Sequence, residues 1–165
     1  MDTFIEYNKN ASAEFDSVAE KNAAILMKHK NEKLGTIAAY NKLYSLFHSV
    51  LHKDVTDRFT HKKVERIKKI IIGSKTVDLS VNGIEIKTSK GVKCVIGPGQ
   101  YAYDTKAEFS LSGETWEDYS INEVLLLSHT EGQWNLTIRS NTTMSGALDV
   151  NGVKFILNYI LRYEG

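Results

Sequence analysis

Cations concentrated between His52 and Lys75 are the residues with the clearest capacity for binding chemistry. This stretch holds eight lysines and arginines against three acids. Lysine ammonium groups bind phosphate as mobile point charges, whereas the planar arginine guanidinium can also pair with a guanine edge. The stretch therefore predicts a surface for phosphate or another anion, and the candidate nucleic-acid-binding residues are Lys53, Arg58, Lys62, Lys63, Arg66 and Lys69.

A second pattern that could bind a ligand lies after Gly99, where Tyr101 and Tyr103 precede Lys106. Aromatic rings interleaved with a cation can stack on bases or hold a peptide. The alternative is a strand in which both tyrosines, two residues apart, share one inward face. Both interpretations stay open at this point, and the two rings are candidate aromatic contacts.

Histidines and the cysteine are the remaining groups that could do chemistry. His48 and His52 are four residues apart on a predicted helix, a spacing that can seat a metal, and His61 follows. No carboxylate or third ligand stands at a fixed spacing, so we predict no metal site. Cys94 alternates with apolar residues and is expected to be a small core residue rather than a nucleophile.

Catalytic and nucleotide-binding motifs are absent from the sequence. It contains no GxxxxGK[ST], GxSxG, HExxH or CxxC. We therefore expect a non-enzymatic protein with no cofactor and no catalytic residues. A small hydrolase without a recognisable motif is the remaining enzymatic alternative.

Charge and composition constrain the partners. The net charge is +1, but residues 1–75 carry 14 basic and 9 acidic side chains whereas residues 76–165 carry 7 and 11. Such asymmetry favours an anionic partner for the first half. One cysteine, no secretory signal and no apolar run of about 20 residues predict a cytoplasmic protein that does not enter the membrane.

Apolar residues recur at helical spacing in the first half of the chain. The spacing predicts helices over residues 12–30 and 36–51, with a break at 31–35 that ends in Gly35. A third helix is predicted from about Thr60 to Gly73, with most of the candidate cations on its solvent side.

The period changes to two after Lys75, which predicts strands. Asn82-Gly83 predicts a tight hairpin, as does Asn151-Gly152 before a final strand over residues 153–163. A terminal helix through Val153, Ile156 and Ile160 is the alternative for that last segment.

These elements predict an α+β fold. We expect an N-terminal three-helix segment followed by an antiparallel β-meander of about seven strands, forming a small barrel or sandwich. The predicted domains are a basic helical segment, 1–73, and an antiparallel β domain, 74–165, packed as one unit.

The combined pattern predicts a regulatory protein that associates with nucleic acid, DNA in preference to RNA, or with a nucleic-acid machine, through the basic third helix. A high ratio of lysine to arginine, 17 to 4, is typical of an AT-rich genome and favours a phage-type modifier of host transcription or of the nucleoid. The alternative is a protein–protein interaction or structural module, such as an anti-defence inhibitor or an assembly protein, that docks on an acidic partner.

Overall fold

A long helix, an antiparallel sheet and a short C-terminal helix make up the protein. The computed structural model describes residues 2–54, 57–140 and 142–165, with side chains in the first helix described for Asn8 and from Phe15 onward. The elements are α1 (Asp2–Leu51), β1 (Phe59–Ile72), β2 (Lys75–Thr88), β3 (Lys93–Pro98), β4 (Lys106–Ser112), β5 (Tyr119–Ser120), β6 (Leu125–Thr130), β7 (Gln133–Ile138), β8 (Met144–Ala147), α2 (Val150–Leu161) and a 3₁₀ turn (Arg162–Glu164).

The eight strands form one sheet, in the order β1-β2-β3-β4-β6-β7-β8 with β5 paired to β4. All of the strand pairs are antiparallel. Contacts divide the chain into two compact units, residues 1–35 and 36–165. The predicted domain boundary at residue 73 coincides with the turn between β1 and β2.

The prediction of a three-helix segment is wrong, first because the two N-terminal helices are one. Helix α1 runs for 50 residues through the predicted break at 31–35. Gly35 lies within the helix, and a β-carbon added there would meet no atom within 4 Å. Glycine in a helix interior costs only about 1 kcal/mol relative to alanine. Without a proline or a left-handed residue at this point, that cost does not end the helix.

The predicted third helix is also wrong, because residues 59–72 form strand β1. The segment is rich in β-branched residues, which fit a pleated strand better than a helix. Its whole length pairs with β2, from Phe59 opposite Thr88 to Ile72 opposite Lys75. Gly73 does adopt a positive φ of 63°, but in the hairpin turn rather than at a helix end.

The prediction of a hairpin turn at Asn82-Gly83 is also wrong, since both residues lie inside β2. The glycine is required there by close packing. A β-carbon on Gly83 would approach the Ile96 carbonyl oxygen to 2.9 Å and the side chains of Val64 and Arg66 to 3.3 Å. Sequence alone does not separate a glycine needed for a turn from one needed for a close approach.

The C-terminal segment is helix α2 rather than the final strand that we predicted. Asp149 caps the helix, because its side chain accepts a hydrogen bond of 2.8 Å from the Gly152 amide. The buried residues Val153, Ile156 and Ile160 follow the helical spacing that the alternative interpretation used. Gly152 therefore donates its amide to the helix cap, and Asn151-Gly152 forms no hairpin turn.

The core lies between one face of the sheet and the helices of residues 36–165. Phe47 and Leu43 of α1 are buried with Ile86 and Phe109 of the sheet. The indole Nε1 of Trp134 donates a hydrogen bond of 2.7 Å to the Ala39 carbonyl, which fixes α1 to β7. On the opposite face of β1 to β3, Lys62, Arg66, Lys87 and Lys93 are exposed, whereas Ile70, Ile72 and Val81 on that same face are buried.

Candidate interaction surfaces

Strand β1 separates the predicted binding residues, because successive side chains point to opposite faces of a sheet. Lys62 and Arg66 share one face, and Lys63 and Lys69 lie on the other. The predicted group therefore does not form one surface. A helix would have kept its cations on one side, so this separation follows directly from the change of secondary structure.

Neighbouring strands add two cations that the sequence analysis missed. Lys87 of β2 pairs with Thr60 on one side and with Lys93 of β3 on the other. Paired residues of antiparallel strands share a face. Lys87 and Lys93 therefore lie on the face of Lys62 and Arg66. We call these four residues, Lys62, Arg66, Lys87 and Lys93, the outer basic face.

Glu85 is the acid within this group. It pairs with Lys62 across the strands, and its two carboxylate oxygens lie 3.2 Å from the Lys62 Nζ and 3.9 Å from the Lys93 Nζ. The Lys62 side chain is 68% exposed and the Lys93 side chain 46%, whereas that of Glu85 is 18% exposed. Both ammonium groups are therefore accessible to an incoming anion, which would compete with Glu85 for them.

Arg66 is held along the surface by two glycines. Its Cγ lies 3.3 Å and 3.4 Å from the positions that β-carbons on Gly83 and Gly97 would occupy. Its Nη1 donates to the Glu65 carbonyl at 3.0 Å. The missing side chains leave a shallow channel that the aliphatic stem of Arg66 occupies.

A polar groove of about 580 Å³ extends this channel across the sheet. Arg66 and Lys93 lie on one side, and Glu117 and Asp118 lie on the other. The groove is therefore basic along β1 to β3 and acidic beyond β4. An anionic ligand would be confined to the β1–β3 side.

The remaining predicted cations lie elsewhere. The Lys63 Nζ sits 4.9 Å from the centroid of the Tyr44 ring, and Lys69 pairs with Asp78. Lys53 lies in the turn after α1, and the Arg58 carbonyl accepts a hydrogen bond of 2.9 Å from the Ser89 amide. None of the four belongs to the outer basic face as we define it.

The two tyrosines form an exposed stacked pair in the loop between β3 and β4. Their ring centroids are 5.6 Å apart with 15° between the planes, and Tyr103 is 76% exposed. The Tyr101 carbonyl accepts a hydrogen bond of 3.1 Å from the Nζ of Lys68, a buried residue two positions after Arg66. That bond places the tyrosine loop beside the same face of β1 as Arg66.

Three histidines meet where α1 ends and β1 begins. The Nδ1 of His48 lies 2.9 Å from the Nε2 of His61, and the His52 ring stacks on His48 at 5.4 Å. Burial, and then the neighbouring His48 and His52, lower the pKa of His61. Across the described ranges, no three or more histidines, cysteines or acids are placed to hold a metal ion.

The buried cysteine confirms its predicted structural role. Cys94 has no exposed surface, and burial raises the pKa of its thiol well above the usual range. The thiol therefore stays protonated, and no reagent can reach it in the folded chain. Its position opposite Ile86 and Leu111 is that of a small core residue.

Residues 15–35 of α1, which we call the exposed segment, form a second candidate surface. Every residue of the segment is exposed except the half-buried His29. The apolar periodicity predicted a helix over residues 12–30 and a break at 31–35. That periodicity does not indicate what the apolar side of the helix contacts.

Comparison with known proteins gives no further guidance on either surface. No protein-family model, no curated protein and no solved structure matches the chain. Among the described residues, no helix is sufficiently long and apolar to cross a lipid bilayer.

Proposed function

We propose that the chain is a non-enzymatic regulatory protein that associates with nucleic acid, DNA in particular, through the outer basic face. The observation that supports this function is the placement of Lys62, Arg66, Lys87 and Lys93 on neighbouring strands of one face. Lysine-rich surfaces bind phosphates along a backbone without reading bases. Arg66 is the one member of the group whose guanidinium could pair with a base edge.

The exposed tyrosine pair beside this face supports the binding of a single nucleic-acid strand. Tyr103 and Tyr101 could stack on unpaired bases while the lysines neutralise the backbone. Within this class, a phage-type modifier of host transcription or of the nucleoid fits the small size and the lysine-rich composition. The single buried cysteine is compatible with a reducing cytoplasm.

Fluorescence anisotropy of labelled duplex and single-stranded DNA over a salt series tests this function. Neutralising four phosphates gives a slope of log K against log salt of about −3.6 for duplex DNA and about −2.8 for single strands. Lys87→Gln with Lys93→Gln should reduce the magnitude of the duplex slope by roughly 1.8. Tyr103→Ala should weaken single-strand binding by about 1–3 kcal/mol and leave duplex binding nearly unchanged.

Lys63→Gln with Lys69→Gln is the matched control, because it removes the same charge from the opposite face of β1. Equal losses in the two double variants would reject the outer basic face as the binding site. No binding at about 50 mM salt would reject nucleic acid altogether. The outer basic face would then be assigned to an acidic protein partner, the alternative function.

A further inference from the structure

The exposed segment has large apolar side chains that remain accessible to solvent. An isolated helix is marginal in water, and most helical stability in proteins comes from packing of an apolar face. Two β-branched residues, Val18 and Ile25, and Gly35 lower the intrinsic helix propensity further. The large exposed apolar residues are Phe15 (70%), Val18 (50%), Ile25 (51%), Leu26 (67%), Met27 (56%) and Leu34 (52%).

Three of these residues, Phe15, Val18 and Ile25, have the spacing of a helix that pairs with another helix. Phe15, Val18, Asn22, Ile25 and His29 follow one another at alternating intervals of three and four residues. This is the a and d pattern of a coiled coil, in which each of these side chains packs into the facing helix. A single asparagine at an a position, here Asn22, specifies register and oligomeric state at a cost in stability.

Charge along the helix indicates which partner fits. Within the exposed segment, residues 15–20 carry two acids and no cation, whereas residues 27–35 carry three lysines and one acid. The two ends of the segment are therefore opposite in sign, at −2 and +2. A parallel pair would place like charges side by side, whereas an antiparallel pair would place each acidic end along a basic end.

We propose that the exposed segment pairs in antiparallel orientation with the same segment of a second copy of this chain. The sequence of one helix supplies both complementary charge blocks, so no other partner chemistry is needed. In an antiparallel coiled coil the a positions of one helix face the d positions of the other, so Asn22 of one copy lies opposite Ile25 of the other and Val18 lies opposite His29.

Sedimentation equilibrium of the full chain measures the association. Val18→Glu with Ile25→Glu buries charge in the interface and should raise the dimer dissociation constant roughly 100-fold or more. The matched control is Ser17→Glu with Ala24→Glu, which adds the same charge on the opposite side of the helix and should leave most of the affinity. A monomer at all concentrations, or equal losses in both variants, would overturn the proposal.

Salt dependence distinguishes the two orientations. Attraction between opposite charge blocks is screened by salt, so an antiparallel dimer should dissociate more readily at about 0.5 M than at about 0.05 M salt. A parallel dimer would instead become tighter, because salt screens the repulsion of its like charges. A dimer strengthened by salt therefore contradicts the orientation.

Disulfide cross-linking gives an independent measurement, since the one native cysteine, Cys94, is buried. A disulfide requires α-carbons within about 7 Å. In the antiparallel pair residue 29 lies opposite residue 18, so the two copies of residue 29 are roughly 16 Å apart at 1.5 Å per residue. His29→Cys alone should therefore stay reduced, whereas a mixture of His29→Cys and Val18→Cys chains should form the mixed disulfide. Efficient cross-linking of His29→Cys with itself would show a parallel pair.

The same association test separates this inference from the proposed function. DNA binding depends on the outer basic face, and self-association depends on the exposed segment. Variants of the segment are expected to change the oligomeric state without changing the phosphate contacts of each copy. Loss of DNA binding in the Lys87 and Lys93 variant, with the dimer intact, would leave the pairing proposal standing.

Discussion

Helix α1 contains two segments with the same apolar spacing and opposite burial. In the exposed segment, Phe15 and Leu26 keep two thirds or more of their surface accessible, at 70% and 67%. In residues 36–51, which we call the covered segment, Leu43 and Phe47 are 1% and 0% exposed. The comparison shows that periodicity determines which side of a helix is apolar and leaves open what that side contacts.

Contacts unique to the covered segment account for its burial. Tyr40 packs edge-on against Trp134 with ring centroids 5.4 Å apart, and the indole of Trp134 also bonds the Ala39 carbonyl. Burial of Tyr40, with smaller contributions from Asp104 and Glu108, raises the pKa of its hydroxyl well above the usual range. The covered segment is therefore part of a folded core, whereas large apolar side chains of the exposed segment remain accessible to solvent.

The largest expected effect compares phenylalanine truncations in the two segments. Phe47→Ala should lower the free energy of unfolding by about 3–5 kcal/mol, because it leaves a cavity in the core. Phe15→Ala should change the unfolding of the sheet by no more than about 0.5 kcal/mol, since exposed positions contribute little. Chemical denaturation followed by fluorescence of the buried Trp134 measures both.

Sedimentation of the same two variants completes the comparison. Phe15→Ala should weaken self-association, and Phe47→Ala should leave it unchanged under conditions where the chain is folded. If Phe15→Ala destabilised the sheet as strongly as Phe47→Ala, the exposed segment would be part of the core and the distinction would fail.

A smaller effect is expected from the histidines that join the covered segment to β1. The folded-state pKa of His61 is lowered, chiefly by burial and then by His48 and His52, while Tyr44 and the cation Lys63 lie on the same side. The unfolded chain then binds protons first as the pH falls below about 6.5. The stability that His61 contributes is thus complete above that pH and is lost as the pH falls through its folded-state pKa.

Thermal unfolding between pH 7.5 and pH 5 measures this dependence. His61→Gln should show a weaker decline of the melting temperature than the unaltered chain. A residual decline is expected from His129, whose pKa burial also lowers. A decline of unchanged size in His61→Gln would mean that His61 does not bind a proton on unfolding as we infer.

Much of the local pattern could be predicted from the sequence, but the identity of some elements could not. The amphipathic stretches at 12–30 and 36–51 are helical, and alternation after Lys75 does mark strands. Residues 60–73 were assigned incorrectly because their apolar residues match both periods, and β-branched content was the better signal. The hairpins predicted at the two Asn-Gly pairs do not form. Gly83 is required by close packing inside β2, and the Gly152 amide donates to the cap of α2.

The outer basic face could be predicted from the sequence only in part. Lys62 and Arg66 were identified from local charge density, which is visible in one stretch of sequence. Lys87 and Lys93 belong to other strands and join them only through register, a long-range property that no local pattern contains. The placement of Lys63 and Lys69 on the opposite face depends on β1 being a strand rather than a helix.

The smallest expected effect lies at the boundary between the two segments. Gly35 is exposed, and a β-carbon there would meet no atom within 4 Å. Gly35→Ala should therefore stabilise α1 by about 0.4–1 kcal/mol, because alanine loses less backbone entropy in a helix. Circular dichroism at 222 nm during thermal unfolding measures the change. If residues 31–35 instead formed the predicted break, with Gly35 in a left-handed conformation, alanine would be strained there and the helical signal would fall. The sign of this small effect thus decides whether α1 is continuous, and with it whether one helix has both a covered and an exposed segment.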